Sequence, residues 1–114
     1  MRIDKPPIFH DGQWSLCDVA AVDDSSANLA AWRWTSLADL RVVVVNLGDG
    51  VGQGRVHVGD ALPHGASLMF EDLLDGKAYQ WERRDLIESG LYVRLASGQA
   101  HIFAVRPPPT KPPT

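Results

Sequence analysis

The chain has 114 residues, of which 45% are hydrophobic and 22% are charged, a balance typical of one globular domain. Its formal net charge is −3, with acidic and basic residues interspersed, which excludes the basic face that a nucleic-acid-binding protein needs. No apolar run approaches the roughly 20 residues of a membrane helix, so neither nucleic acid nor a membrane is expected as a partner.

The two ends of the chain differ from its middle. Residues 1–12 are predicted to be a connector, because Pro6-Pro7 forces an extended chain. This charged, proline-broken segment is unlike a signal peptide. The single cysteine, Cys17, allows no intramolecular disulfide, and both features fit a protein of the reducing cytoplasm. Residues 106–114 are rich in proline and are expected to form a flexible tail.

Between these ends, residues 13–105 divide into short segments in which apolar and polar residues alternate, as in β-strands. Residues 84–90 instead indicate a single helical turn that ends at Gly90. About eight strands at intervals of roughly 8–12 residues predict an all-β fold, an antiparallel Greek-key β-sandwich. The predicted strands are 13–19, 28–34, 40–47, 54–58, 66–74, 77–82, 91–95 and 99–105.

A glycine-rich loop with glycines at 48, 50, 52 and 54 follows the third of these strands. A dinucleotide site needs the spacing G-x-G-x-x-G between a strand and a helix. Here the glycines occupy every second position and a strand-like segment follows, so no helix N-terminus is expected to hold a phosphate. The turn dipeptide Asp49-Gly50 instead predicts a hairpin that joins strands 40–47 and 54–58.

No motif predicts catalysis, a metal site or a cofactor. The four histidines, at positions 10, 57, 64 and 101, are scattered without the spacing of metal ligands. The carboxylate pairs Asp23-Asp24 and Glu71-Asp72 are neighbours on an extended chain, so their side chains should point to opposite sides. We therefore expect no catalytic residue, no metal and no cofactor.

The tryptophans are the candidate ligand-binding residues. Trp32 and Trp34 are two positions apart, so they should share one face of their strand. If exposed, the pair could stack on sugar rings, whereas a buried pair would belong to the core. Trp81 leaves the same two alternatives open.

The segment LRVVVVNL (40–47) is apolar on both of its faces, with Val42 and Val44 on one side and Val43 and Val45 on the other. A sandwich strand usually has one apolar face and one solvated face. A second sheet would cover one side of this strand, and a further partner should cover the other. Val42 and Val44 are the candidate residues of such an interdomain face, and a homodimer is an alternative partner.

Six segments, taken in order, resemble the C-terminal β-sandwich domain of α-amylase family glycoside hydrolases. The resemblance runs from about residue 9 to residue 105, with one departure. Relatives often carry an aromatic residue in the turn between the last two strands, where this chain has Ser97-Gly98. The six segments are FHDGQW (9–14), NLAAWRW (28–34), LRVVVVNLGD (40–49), GRVHV (54–58), FEDLLDGKAY (70–79) and GLYVRLASGQAHIF (90–103).

The resemblance implies a non-catalytic domain. In that family the chemistry belongs to a (β/α)₈ barrel, which takes about 250 residues, so this chain cannot hold one and no catalytic residue transfers to it. The implied role is to pack against the barrel of a parent glycoside hydrolase and to stabilise that enzyme. Two alternatives stay open: a carbohydrate-binding module that takes α-glucan on Trp32, Trp34 or Trp81, and a homodimerising interaction domain.

Overall fold

The computed structural model describes residues 12–36 and 39–107, and in them it forms nine strands, one α-helix and two short 3₁₀ segments. The predicted connector and tail lie almost wholly outside the described residues. No helix in the described part of the chain is long and apolar enough to cross a membrane. The strands are β1 (Gln13–Leu16), β2 (Asp18–Ala21), β3 (Leu29–Ser36), β4 (Asp39–Asn46), β5 (Gly52–His57), β6 (Ser67–Asp72), β7 (Ala78–Glu82), β8 (Leu91–Leu95) and β9 (Ala100–Arg106).

The strands form two antiparallel sheets of unequal width. The larger sheet has six strands in the order β1-β3-β4-β9-β6-β7, and the smaller has three in the order β2-β5-β8. The last strand, β9, returns to lie between β4 and β6, a long-range return of the kind found in Greek-key folds. The predicted all-β antiparallel sandwich is confirmed.

The core lies between the two sheets and is built by strict alternation. In β4, Leu40, Val42 and Val44 point inward and are almost completely buried, while the residues between them are only partly buried. Val56 and Val58 are buried as their alternation predicts. Full burial of one such aliphatic side chain contributes about 1.5–3 kcal/mol. The rest of the core comes mainly from Leu68, Phe70, Leu86, Leu91, Val93, Leu95, Phe103 and Val105.

The segment 13–19, predicted as one strand, is two strands that belong to different sheets. β1 pairs with β3 in the six-stranded sheet, and β2 pairs with β5 in the three-stranded sheet. The chain crosses between them at Cys17, whose backbone N–H donates to the carbonyl oxygen of Ala31 at 2.9 Å. The sequence alternates on both sides of this crossing, so periodicity alone could not show it.

The predicted hairpin at the glycine-rich loop is wrong. β4 lies in the six-stranded sheet and β5 in the three-stranded sheet, so the loop crosses from one layer to the other. Asn46, almost completely buried at the end of β4, holds the crossing in place. Its side-chain amide donates to the carbonyl oxygens of Gly50 at 2.8 Å and Leu95 at 2.9 Å, and its Oδ1 accepts from the backbone N–H of Gly48 at 2.9 Å.

Two glycines of this loop, Gly48 and Gly54, allow close packing. None of them is among the described glycines with positive φ. A Cβ atom on Gly48 would lie 2.6 Å from the side chain of Asn28, and one on Gly54 would lie 2.8 Å from Cγ1 of Val19. Contacts this short are not tolerated without movement of the neighbouring atoms.

Two other predicted connections are confirmed. β6 and β7 form an antiparallel pair joined through Asp75-Gly76, and Gly76 has a φ of +78°. The helical turn is α1 (Arg83–Glu88), which is followed by Gly90 with a φ of +86°. α1 contributes one core residue, Leu86, and brings the chain from the edge of the large sheet to β8.

Candidate functional site

The outer face of the six-stranded sheet carries a continuous set of apolar side chains. The pairing of β1, β3, β4 and β9 sets them side by side, on the side of the sheet that faces away from the core. We call this set the outer apolar face. Its members are Trp14, Leu16, Ala30, Trp32, Trp34, Val43, Val45, Ile102 and Ala104.

Trp32 and Trp34 share this face, as their spacing predicts, but they differ in exposure. Trp34 is only 3% exposed, and a Cβ atom on Gly12 would clash with its indole ring, so the chain at Gly12 covers the ring. Little of Trp34 is therefore open to a ligand. Trp32 is half-buried, whereas the neighbouring Trp14 and Leu16 are 52% and 76% exposed.

The structure shows which face of the sheet each valine of β4 lies on, which the sequence could not assign. Val42 and Val44, the candidate interdomain residues, are 0% exposed and pack in the core. Val43 and Val45 are half-buried on the outer apolar face. The candidate interdomain face therefore moves from Val42 and Val44 to Val43 and Val45. Alternation fixes only which residues share a side, and the position of the second sheet decides which side is covered.

The guanidinium-bearing residue Arg41 lies within the outer apolar face. Arg41 pairs with Trp34 on β3 and with Ala104 on β9. Its Nη1 donates to the carbonyl oxygen of Leu40 at 3.2 Å, while its Nε is buried and has no hydrogen-bond partner among the described residues. Leaving a buried donor unsatisfied costs about 1–3 kcal/mol. A carboxylate or carbonyl oxygen from a docked partner would remove this cost.

The outer face of the three-stranded sheet is polar by contrast. Its strands alternate in the usual way, apolar toward the core and polar outward. The Arg55 guanidinium lies 5.5 Å from the ring centroid of Tyr92, whose hydroxyl donates to Gln53 Oε1 at 2.5 Å.

A cleft opens at one edge of the sandwich, between β7 of the large sheet and β8 of the small one. Strands lie about 4.8 Å apart within a sheet, so three strands cannot cover the inner side of six. The uncovered part forms a cavity of about 160 Å³. The residues that line it are Tyr79, Trp81, Leu91, Tyr92, Val93, Arg94, His101 and Phe103. Trp81 is the one sugar-platform candidate that lies here.

Asp72 holds the histidine of this cleft. Its Oδ2 lies 2.6 Å from His101 Nδ1, and its Oδ1 accepts from the backbone N–H of Leu74 at 3.0 Å. Burial by itself would raise the pKa of Asp72, which is 2% exposed, but the hydrogen bonds from His101, Leu74 and Ile102 outweigh this and lower it. His101 also stacks on Phe103, with ring centroids 4.7 Å apart. The imidazole is therefore fixed from two sides.

Sequence reasoning missed this pair. The sequence predicts that Glu71 and Asp72 point to opposite sides of their strand, and the structure agrees. Glu71 accepts a hydrogen bond from Arg106 Nη1 at 2.7 Å on the outer side of the sheet, whereas Asp72 points inward. The available signal was the alternation in QAHIFAV, which puts His101 on the same side as Phe103 and Val105. A histidine at a core position needs a polar partner.

No arrangement of the described side chains indicates catalysis. Within residues 12–36 and 39–107, no group of three or more His, Cys, Asp or Glu side chains is placed to hold a metal ion. Burial raises the pKa of the Cys17 thiol, and Arg33 opposes this with a smaller effect. The raised pKa disfavours the reactive thiolate.

Comparison with known proteins supports the fold at low sequence identity. No protein-family model matches the chain, and no curated protein matches its sequence. Among solved structures, it is similar to an Anoxybacillus α-amylase, described as giving insights into a new glycosyl hydrolase subclass, with a TM-score of 0.53 and 13% identity. The match covers 83% of this chain and 19% of the α-amylase. The chain therefore spans about a fifth of the length of that enzyme.

Proposed function

We propose that the chain is a non-catalytic β-sandwich domain of an α-amylase-like glycoside hydrolase. Its outer apolar face would pack against the catalytic barrel of that enzyme and stabilise it. The observation that carries the proposal is the asymmetry between the sheets, since the outer face of the large sheet is mostly apolar across β1, β3, β4 and β9, whereas that of the small sheet is mostly polar.

The composition of the outer apolar face is that of a protein–protein interface. Contiguous exposed apolar patches mark interaction sites on soluble proteins. Tryptophan and arginine are enriched at interface centres, and here Trp14, Trp32 and Arg41 lie on one surface. A docked partner would bury the exposed part of Trp14 and give the Nε of Arg41 an acceptor.

The choice of a catalytic barrel as the occupant rests on the structural neighbour. The segment matched in the Anoxybacillus α-amylase is 19% of that chain, so most of that protein is something other than this fold. A (β/α)₈ barrel takes about 250 residues, more than this 114-residue chain has. In this proposal the barrel carries out hydrolysis and this domain stabilises the barrel.

The test pairs the chain with the α-amylase-type barrel encoded in the same or an adjoining reading frame. Adding the chain in trans should lengthen the thermal half-life of the barrel. Val43→Glu and Leu16→Glu should weaken this association at least about tenfold, equivalent to 1.4 kcal/mol. Ala20→Glu, a matched change on the outer face of the small sheet, should leave it unchanged.

Three results would overturn the proposal. One is a genome position with no such barrel nearby. Another is an association that Ala20→Glu weakens as much as Val43→Glu does. The third is hydrolysis of starch or maltodextrin by the purified chain alone, at a rate that survives further purification.

A further inference from the structure

We propose that the edge strand β7 pairs with β7 of a second copy of this chain, antiparallel about Gln80, so that the two large sheets join into one. β7 ends the large sheet on the side opposite to β1, and β6 separates it from the strands of the outer apolar face. The inference therefore does not rest on the proposed docking to a catalytic barrel, and the two can fail separately.

The outer edge of β7 is open to a further strand. Among the described strands, only β6 pairs with it. Four of its five residues are exposed, and Trp81 is half-buried. Proteins commonly protect an edge strand with a proline, a lysine or a bulge. The sequence AYQWE contains neither proline nor lysine, and its register with β6 runs without a bulge. This edge is therefore unprotected against pairing.

The ladder with β6 fixes which backbone groups of β7 face the open edge. Beyond one end of β7, the N–H of Asp72 donates to the carbonyl oxygen of Lys77 at 2.8 Å. Beyond the other end, the N–H of Arg83 donates to the carbonyl oxygen of Ala66 at 2.8 Å. Because bonded positions alternate along an antiparallel ladder, the odd-numbered residues of β7 bond to β6. The residues whose N–H and C=O groups face the open edge are Ala78, Gln80 and Glu82.

These backbone groups are self-complementary in one register. When Gln80 lies opposite Gln80 of the second copy, Ala78 lies opposite Glu82 of the second copy, and each such pair exchanges two backbone hydrogen bonds. A register centred on Tyr79 leaves Glu82 without a strand residue opposite it. A register centred on Trp81 does the same to Ala78. The pairing about Gln80 therefore uses the whole strand, and it relates the copies by a two-fold axis, as in most homodimers.

The same register brings aromatic rings of the two copies together. Tyr79 would lie opposite Trp81 of the second copy in a non-hydrogen-bonded pair, where side chains approach most closely. Both residues pair with buried residues of β6, so both rings lie on the inner side of the sheet, where they line the cleft. Tyr79 is 40% exposed, and Phe103 holds its ring edge-to-face at a centroid distance of 6.4 Å. Pairing would cover these rings.

The size of the contact predicts a weak dimer. It is limited to one five-residue strand on each copy, and interfaces below about 1,200 Å² are typical of transient association. We therefore expect the dimer to dissociate readily, so that the monomer predominates in dilute solution.

Sedimentation velocity of the full chain over a concentration series measures this equilibrium, and we expect a reversible shift from monomer to dimer. Gln80→Pro should weaken the dimer at least about tenfold, equivalent to 1.4 kcal/mol. Proline removes an N–H that faces the open edge and leaves the bonds to β6 in place. Gln80→Ala is the matched control, because it keeps this N–H, and it should keep the dimer.

Urea unfolding of each variant reports whether it folds. If Gln80→Pro is unfolded, oxidative cross-linking in a Cys17→Ser background takes its place. The proposed register brings the two Gln80 Cα atoms to about 5.5 Å, within the roughly 4.4–6.8 Å that a disulfide spans, so Gln80→Cys chains should join. The two Ala78 positions are about 13 Å apart along the strands, so Ala78→Cys chains should join much more slowly.

Three results would overturn the proposal. One is a chain that stays monomeric at every concentration. Another is a dimer that persists in folded Gln80→Pro, including one that Val43→Glu with Leu16→Glu dissociates, since the contact would then lie on the outer apolar face. The third is cross-linking of Ala78→Cys that is as fast as that of Gln80→Cys.

Discussion

At the scale of single residues, neighbours in sequence have separate roles because a strand sends them to opposite faces. Glu71 pairs with Arg106 outside the sheet, while Asp72 is buried with His101 inside it. The buried carboxylate is kept ionised by the groups that donate to it, since each hydrogen bond favours the charged form. Asp72 therefore links the pH of the solution to the stability of the sandwich.

We expect the free energy of unfolding to fall in acid, partly because of Asp72. Its folded pKa lies below its unfolded value of about 3.9, so its contribution is complete above that value and is lost as the pH falls through the folded pKa. In that window the unfolded state binds the extra proton, so stability rises with pH.

Asp72→Asn should lower the free energy of unfolding by about 1–3 kcal/mol near neutral pH. It should also make the further loss of stability in acid smaller. Urea unfolding across a pH series measures both effects. Asp49→Asn, at an exposed loop position, is the control and should keep the full pH dependence. An Asp72→Asn variant with the same acid limb as the unmodified chain would contradict this account.

At the scale of elements, the connection from β4 to β5 shows how one loop serves two sheets. The loop leaves the large sheet at Asn46, whose amide bonds to Leu95 of the small sheet at 2.9 Å. Gly54 then lies against Val19 and Leu29 with no room for a side chain. Small residues here let the two layers approach each other.

We expect Gly54→Ala to destabilise the fold by about 1–3 kcal/mol, because the added methyl group overpacks this contact. Its Cβ atom would lie 2.8 Å from Val19 Cγ1 and 3.1 Å from Leu29 Cδ1. Gly50→Ala is the matched control in the same loop, where nothing lies within 4 Å. It should be neutral or stabilising by up to about 1 kcal/mol. Equal midpoints in urea for both variants would show that packing is not the reason for Gly54.

At the scale of the whole molecule, the unequal sheets create both candidate sites. Three strands cover only part of the inner side of six, which leaves the cleft at β7. The opposite side of the large sheet has no layer among the described residues, yet most of its side chains on β1, β3, β4 and β9 are apolar. The sandwich thus presents an apolar surface on the outer side of the large sheet and a cleft at its edge.

We expect the isolated chain to bind a hydrophobic dye such as ANS in its native state, through the outer apolar face. The double variant Val43→Glu with Leu16→Glu should reduce the dye fluorescence at least about twofold, because the two charges interrupt the apolar face. Its unfolding midpoint should change little, since both side chains are at least partly exposed. Ala20→Glu on the small sheet should leave the dye signal unchanged.

Light scattering on the same samples distinguishes the occupants of this face. A monomer that binds dye agrees with a face that docks onto another protein. A dimer that the Val43→Glu and Leu16→Glu pair dissociates would instead identify a second copy of this chain as the occupant, in conflict with the proposed function.

The sequence by itself determined the all-β class, most strand positions and which residues of each strand share a face. These features follow from alternation and turn dipeptides, which are local in the chain. It also showed that β4 is apolar on both sides. Only the tertiary structure decided that Val42 and Val44 face the core and Val43 and Val45 face outward. The same is true of the crossings at Cys17 and after Asn46, and of the meeting of Asp72 with His101. Which face is covered, and which sheet a strand joins, depends on contacts between residues far apart in the chain, and local patterns do not record them.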